Sequence, residues 1–294
     1  TIEKKAFFES LISEIRIPSS LIDLKILWCY RVNNLTKIIM MPNNPRYKLY
    51  NDELILGKSD LSKENYDVLV FASRNIKSVK IPDFVEIIGN SSFLDCKMLN
   101  EVEISENSKL RIIEAEAFLG SSITSIKIPP SLECIEIGAF SSCKQLLSFE
   151  IPPNSHLHTI HRYAFYNSDI EEFKVPPSLT FIGEGTFKLC QNLNRFIVPT
   201  DSKLQTIEQE AFYRAEIESI EIPSSLVNLK NMWCINTIRL NDVKIMPENK
   251  RYTLYENKFI IGKSSLDKDV YDTLVFAPRG IKMVKIPDFI EIIA

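Results

Sequence analysis

An isoleucine or valine followed by proline returns through this chain at an almost constant step. The pair ends at Pro18, Pro82, Pro129, Pro152, Pro176, Pro199, Pro223 and Pro287. Met41-Pro42 and Met246-Pro247 are variants, and Ile104-Ser105 fills the one missing slot. Between Pro129 and Pro223 the steps are 23, 24, 23 and 24 residues. A fixed period of this length marks a solenoid, in which each short unit buries its apolar side against its neighbours. A length of 294 residues would by itself suggest two ordinary domains. The repeat predicts instead a single solenoid over residues 1–294, of about eleven rungs and with one continuous core.

Each unit has three parts. The first is a strand such as LLSFEIP (146–152) or IEEFKVP (170–176), whose apolar alternation is that of a half-buried strand. Proline closes it, because a residue at a strand end need not donate a ladder hydrogen bond. The second is a short extended return, SLECIEIG (131–138), with Leu132 and Ile135 directed inward. The third is AFSSC (139–143), too short for an α-helix and expected as a 3₁₀ or single helical turn. Its Phe140 aligns with Phe118, Phe165, Phe187 and Phe212, which predicts a phenylalanine spine. Units of two kinds alternate. The 23-residue kind ends in Phe-x-x-Cys, and the 24-residue kind carries one extra residue before the return, as in PNSHLHTIHRYAF.

A longer period lies over this one. Residues 1–89 align without a gap on 206–294, with 48 of 89 positions identical. In both copies one proline step stretches to 40 residues, from 42 to 82 and from 247 to 287. The extra residues, at about 43–80 and 248–285, read as a hairpin: a strand around Leu54-Ile55-Leu56, a polar turn GKSDLSKEN, and a strand from Asp67 to Ala72. The chain begins and stops within a unit, with no polar cap at either end. It reads as a piece of a longer array whose cut edges would be open to self-association.

Composition excludes several classes. A net charge of -3 argues against nucleic-acid binding, which calls for a basic excess. No run of about 18 apolar residues is present to span a membrane, and the opening residues TIEKKAFFES are repeat sequence and not a signal peptide. The six cysteines are not a disulfide framework. Cys96, Cys143 and Cys190 are two units apart each time, hence about 10 Å apart in the stack, whereas bridged Cα atoms lie within about 7 Å. They read as buried small apolar groups.

The pattern Leu-x-x-Ile-x-Ile-Pro-x-x-Leu-x-x-Ile-x-x-x-Ala-Phe-x-x-Cys, carried best by residues 123–143 (ITSIKIPPSLECIEIGAFSSC), resembles the BspA-like, or Treponema pallidum-type, leucine-rich repeats. The resemblance spans almost the whole chain and recurs in register. The insert YxxY…GKSD…YDxLVFA…IKxVxIP is similar to that of trichomonad and amoeba members, and the low glycine content agrees. The resemblance implies a mainly β, right-handed or horseshoe-like leucine-rich-repeat solenoid with no catalysis and no cofactor. It also implies a cell-surface protein that adheres to matrix proteins, host cells or other microbes. An intracellular scaffold is the alternative. Trp28-Cys29 and Trp233-Cys234 depart from the pattern, standing where Ala-Phe belongs.

In such repeats the polar residues of the strand face solvent on the concave side. One column reads Glu103, Lys127, Glu150, Lys174, Ile197, Glu221, with signs alternating from strand to strand. Opposite charges on neighbouring strands contribute about 0.2–1 kcal/mol each, so this column can satisfy itself. The next column, Glu101, Ser125, Ser148, Glu172, Arg195, Ser219, is expected to be less paired. Together they are the expected partner-binding face, since solenoids engage extended protein partners through such surfaces.

Other chemistry is weaker. His156, His158 and His161 lie within six residues, and imidazole is a common zinc ligand. The same slots hold Lys203, Gln205 and Glu208 in one sister unit and Lys109, Arg111 and Glu114 in another. They are variable surface positions, and no metal site is expected of the three histidines. No serine is presented beside a base in a cleft. GKSD and GKSS lack the first glycine of a phosphate loop and read as turns. Tyr47, Tyr50, Tyr252 and Tyr255, taken as exposed, pack the inserts onto the solenoid or form a contact patch. Asn34-Leu35-Thr36 and Asn90-Ser91-Ser92 are glycosylation triplets that permit an extracellular life.

Overall fold

Alternation builds the first sheet face. In Ser125–Lys127 the side chain of Ile126 is buried while Ser125 and Lys127 face solvent. Val102, Phe149, Phe173 and Phe196 repeat the inward position in successive units. The strands stack in parallel and in register, Ser125 on Ser148, Ile126 on Phe149 and Lys127 on Glu150. The amide of Ile128 donates to the Glu150 carbonyl at 3.0 Å. Pro129 follows, with no amide to donate, and the strand stops.

The return segments build a second ladder. Two-residue strands such as Cys134–Ile135 and Thr159–Ile160 pair in parallel and form most of a ten-stranded sheet. Leu132, Ile135, Leu157 and Ile160 are buried from this side. The computed structural model describes every residue except 279, 280 and 282. It is a β-solenoid of about twelve turns, one more than the proline count predicts, with no helix among the described residues.

The absent helix corrects the expectation for AFSSC. A 3₁₀ helix needs each successive amide to bond three residues back. Here only alternate amides do: Ala139 donates to Glu136, Ser141 to Gly138 and Cys143 to Phe140. The intervening amides of Gly138, Phe140 and Ser142 donate to Arg162, Ala164 and Tyr166 of the next rung. Gly138 and Ser142 take φ of 62° and 57°, the third-residue signature of a type II turn. The corner is therefore a run of β-turns hydrogen-bonded to the corner above it. Stacking claims half of the amides that a helix would keep to itself.

Inside the corners runs the expected spine. Phe93, Phe118, Phe140, Phe165, Phe187 and Phe212 stack nearly parallel at centroid spacings of 4.8–5.5 Å. Phe149, Phe173 and Phe196 from the strand face insert edge-on against them, Phe149 lying 4.9 Å from Phe165. Each such pair contributes about 0.5–1.5 kcal/mol beyond area burial. Trp233 continues the spine, edge-on to Phe212 at 6.0 Å, so Trp-Cys fills the Ala-Phe slot with a larger ring. Serines lock the alternating rung types together. Ser155 Oγ accepts from the Leu157 amide at 3.1 Å, and Ser178 Oγ of the next rung donates to the Leu157 carbonyl at 2.8 Å. The extra residue of the 24-residue units makes room for the first of these.

Each insert is a three-stranded sheet and not the expected two-stranded hairpin. Tyr47–Tyr50 pairs antiparallel with Leu54–Gly57, which pairs antiparallel with Val68–Ala72. The unexpected strand, Tyr47–Tyr50, leads into a turn in which Asn51 and Asp52 both have positive φ, 50° and 56°, the type I′ geometry that matches strand twist. Val68–Ala72 then joins Ile87–Ile88 in parallel, so the insert extends the ten-stranded sheet. The second copy repeats this with Tyr252–Tyr255, Phe259–Gly262 and Thr273–Phe276.

Both faces of the first insert are buried. Tyr47, Ile55 and Phe71 pack with Trp28, Val32 and Leu35 on one side. Leu54, Leu56, Leu69 and Ala72 pack with Phe93 and Ile88 on the other. The insert is a septum, and the buried side chains fall into two clusters where the repeat predicts one continuous core. The period-2 alternation of a strand sends successive side chains to opposite clusters. Gly57 sits where a Cβ would come within 2.8 Å of Val70 and 3.1 Å of Tyr47, so only glycine fits between them.

Candidate functional site

The eleven residues expected to form a binding face all lie on the long-strand ladder. Glu101 and Glu103 flank buried Val102 and are exposed, as are Ser125, Lys127, Glu150, Lys174, Arg195 and Ser219 in their strands. Ser148, Glu172 and Glu221 are half-buried. The strand pleat places both columns on one surface.

The pairing differs from the expectation. Glu172, from the column expected to be less paired, is doubly paired: its carboxylate receives Arg195 Nη1 at 2.6 Å and Lys174 Nζ at 3.0 Å. In the column expected to satisfy itself, Lys80 meets Glu103 at 2.6 Å and Lys244 meets Glu221 at 3.6 Å. Lys127 and Glu150 are register partners but form no ion pair among the described residues. Solvated pairs of this kind contribute about 0–1 kcal/mol, so the unpaired charges stay available to a partner at small cost.

Beside Glu150 the surface opens. The hydrogen-bonded ladder is continuous from Ser78–Lys80 to Ser148–Glu150, and a new piece starts at Glu172–Lys174. At this break lies a cavity of ≈ 440 Å³ lined by Leu147, Ser148, Phe149, Glu150, Ile151, Glu171, Glu172 and Lys174. Four of the eleven expected residues therefore border a recess with three carboxylates, one ammonium and an apolar floor. Strand alternation identifies the outward residues, but it carries no sign of where neighbouring strands part.

The structure also places the other candidates. Tyr47 and Tyr252 are buried and not exposed, and Tyr50 and Tyr255 are half-buried. The Tyr47 hydroxyl accepts the Leu24 amide at 2.8 Å, which makes packing its role. Asp67 is buried at the end of the polar turn of the insert. It accepts the Ser59 amide at 2.8 Å, the Ser59 hydroxyl at 2.6 Å and Lys63 Nζ at 2.5 Å. Burial pushes its carboxyl up, but the Lys63 ammonium and the Ser59 donors outweigh this and hold it below the ordinary range. The serine of GKS thus serves an internal carboxylate, in both copies.

Cys96, Cys143 and Cys190 are free and buried. Burial pushes the Cys143 and Cys190 thiols up to about 12. The latter two donate to a phenylalanine carbonyl of the preceding rung, Cys143 to Phe118 at 3.1 Å and Cys190 to Phe165 at 3.0 Å. Thr237 makes the same bond to Phe212 at 2.7 Å. His156 and His158 are exposed. His161 lies instead beside Cys134 and Glu136 of the preceding rung, its Nε2 3.7 Å from Glu136 Oε1.

The BspA type leucine rich repeat region matches in six copies over residues 1–51, 67–194 and 158–260. The chain belongs to the BspA-type leucine-rich repeat family. No curated protein matches the sequence. Among solved structures this BspA-type chain is similar to a leucine rich cell surface protein from Faecalibacterium prausnitzii A2-165. The TM-score is 0.64 at 20% identity, over 83% of this chain and 63% of that one. It is similar to the pneumococcal vaccine antigen PcpA, with a TM-score of 0.55 at 18% identity over 80% of this chain and 56% of that one. It is also similar to a leucine-rich repeat protein from Bacteroides ovatus, with a TM-score of 0.55 at 25% identity over 69% and 54%. The chain spans 54–63% of the length of these bacterial proteins. The likeness is one of fold, and BspA-type repeats of this architecture offer a repeat surface suited to protein partners.

Proposed function

We propose that this BspA-type chain is a non-catalytic cell-surface recognition or adhesion module. It binds a host or microbial protein or glycan partner through the outer face of the long-strand ladder, and among family members it groups with the trichomonad and amoeba surface proteins. The observation that carries this reading is the recess at the ladder break, where Glu150, with no ion pair among the described residues, lies beside Glu171 and the Arg195-linked Glu172. A polar rim over an apolar floor, on a surface that continues above and below it, has the anatomy of a protein interface.

The test is solid-phase binding of the chain to matrix proteins, host cells and bacteria, with the double variant E172R/R195E alongside. The exchange leaves opposite charges at the two positions with their polarity reversed and removes the Lys174 contact to Glu172, so net charge is kept while the local field beside the recess inverts. Loss of binding supports the reading. Full binding by the variant moves recognition away from this face. Binding to no member of the panel favours an intracellular scaffold, the reading that the free thiols of Cys96, Cys143 and Cys190 also fit.

A further inference from the structure

We infer that Cys134, Glu136 and His161 form a binding site for a zinc-class divalent cation on the outer face of the short-strand ladder. Cys134 and Glu136 are two residues apart along one extended segment, so their side chains leave the same face. Cys134 pairs with Thr159 and Ile135 with Ile160, which brings the next residues, Glu136 and His161, side by side across two rungs. The sulfur, one carboxylate oxygen and one imidazole nitrogen all lie within 4.8 Å of one another. Cys134 Sγ is 3.5 Å from Glu136 Oε1, and His161 Nε2 is 3.7 Å from the same oxygen.

Tetrahedral zinc with bonds of about 2.0–2.3 Å holds its ligand atoms about 3.3–3.8 Å apart. The three atoms need only small side-chain rotations to reach that arrangement. Thiolate, imidazole and carboxylate together favour zinc over the hard oxygen-seeking cations. Three protein ligands leave the fourth position to water.

The surroundings also favour a cation. Glu114 lies in register beside Glu136 on the other side, because Ile113 pairs with Ile135. Like charges opposed across strands are unfavourable. The Asn90 amide donates to the Glu114 carboxylate at 2.8 Å. As the metal–sulfur bond forms, the thiol proton leaves to solvent, and the divalent charge is then balanced by one thiolate and one carboxylate. Phe181, whose ring centroid is 6.3 Å from that of His161, walls the site on the far side. Glu133 is held by Arg111 and stays out of the cluster.

The experiment is titration of the reduced, chelator-stripped chain with cobalt(II), followed by displacement with zinc. The expected result is a thiolate-to-cobalt charge-transfer band in the near ultraviolet that saturates at one cobalt per chain and is bleached by zinc. Cys134→Thr should abolish the band with an unchanged far-ultraviolet circular dichroism spectrum, since Thr159 and Thr206 occupy the same slot in sister rungs. Glu136→Gln and His161→Gln should retain the band but weaken cobalt binding at least about tenfold. No band in the unaltered chain overturns the inference. So does a band of equal strength in Cys134→Thr, which would assign the metal to another thiol.

Discussion

The phenolic oxygen of Tyr252 lies 2.8 Å from the backbone nitrogen of Leu229 and accepts its hydrogen. Asn228–Leu229 is the edge strand of the ten-stranded sheet. Within the regular ladder such a strand pairs with the next rung, as Cys134–Ile135 does with Thr159–Ile160. Where an insert replaces that rung, a tyrosine hydroxyl stands in for the missing carbonyl. Tyr47 does the same for Leu24 in the first copy.

Removing that oxygen leaves a buried amide without a partner. Tyr252→Phe should cost about 2 kcal/mol, since an orphaned buried donor carries its full desolvation penalty. Denaturant unfolding measures the loss, and hydrogen exchange at the Leu229 amide should accelerate. An unchanged midpoint with unchanged exchange would show that the amide finds another acceptor.

Asp67 predicts an acid-sensitive insert. Its carboxyl sits below the ordinary range in the folded chain, whereas an unfolded aspartate titrates near 3.9. The stabilisation is therefore complete above about pH 4 and is lost as pH falls through the folded value. Asp67→Asn should cost about 1–2 kcal/mol at neutral pH, a figure moderated by the partly exposed Lys63 ammonium. The gap between variant and parent should narrow as pH falls below about 4. A gap that stays constant with pH would place the effect in packing and not in charge. Asp272, held low by Lys268 and Ser264, predicts the same behaviour in the second insert.

The spine is the main apolar support of the middle rungs. Phe165 touches Phe140 and Phe187 in the spine and Phe149 and Phe173 from the strand face. Phe165→Ala should cost about 3–5 kcal/mol, the transfer term plus the cavity left in a stack that cannot collapse along its own axis. Limited proteolysis should then cut the neighbouring corners first, because each rung of a solenoid depends on its immediate neighbours. Cleavage that starts at the inserts instead would show the spine to be less important than the septum.

The cysteine column tests whether a hydrogen bond or a thiol is required. Thr237 already makes the bond that Cys190 makes. Cys190→Thr should fall within about 1 kcal/mol of the parent, and Cys190→Ala should cost more by about 1 kcal/mol, because the Phe165 carbonyl loses one of its two donors and keeps only the Ser168 amide at 3.1 Å. With the Cys143 and Cys190 thiols buried and pushed up to about 12, alkylation at neutral pH should follow unfolding and not precede it. Rapid labelling of the folded chain would contradict both statements.

Much of the fold was legible from spacing. The 23- and 24-residue steps gave the solenoid, the alternation around Ile126 and Phe149 gave the exposed face, and the alignment of Phe140 with its counterparts gave the spine. The corner was misread because AFSSC has the length of a helical turn, and nothing local shows that alternate amides will be taken by Arg162, Ala164 and Tyr166 of another rung. The third strand of the insert was missed, although Asn51-Asp52 between apolar pairs carries a type I′ signal.

Side-chain order along the chain determined the period, the strands, the inward and outward faces and the family. Those are short-range patterns, repeated until they become unmistakable. Tertiary structure alone decided that the insert stands as a wall between two apolar clusters, that Glu172 pairs with Arg195, and that Cys134 and Glu136 meet His161 from the next rung. The last two contacts join residues 23 to 27 positions apart. Their partners shift by a residue with every change in corner or return length, so only the stacked register shows which side chains touch.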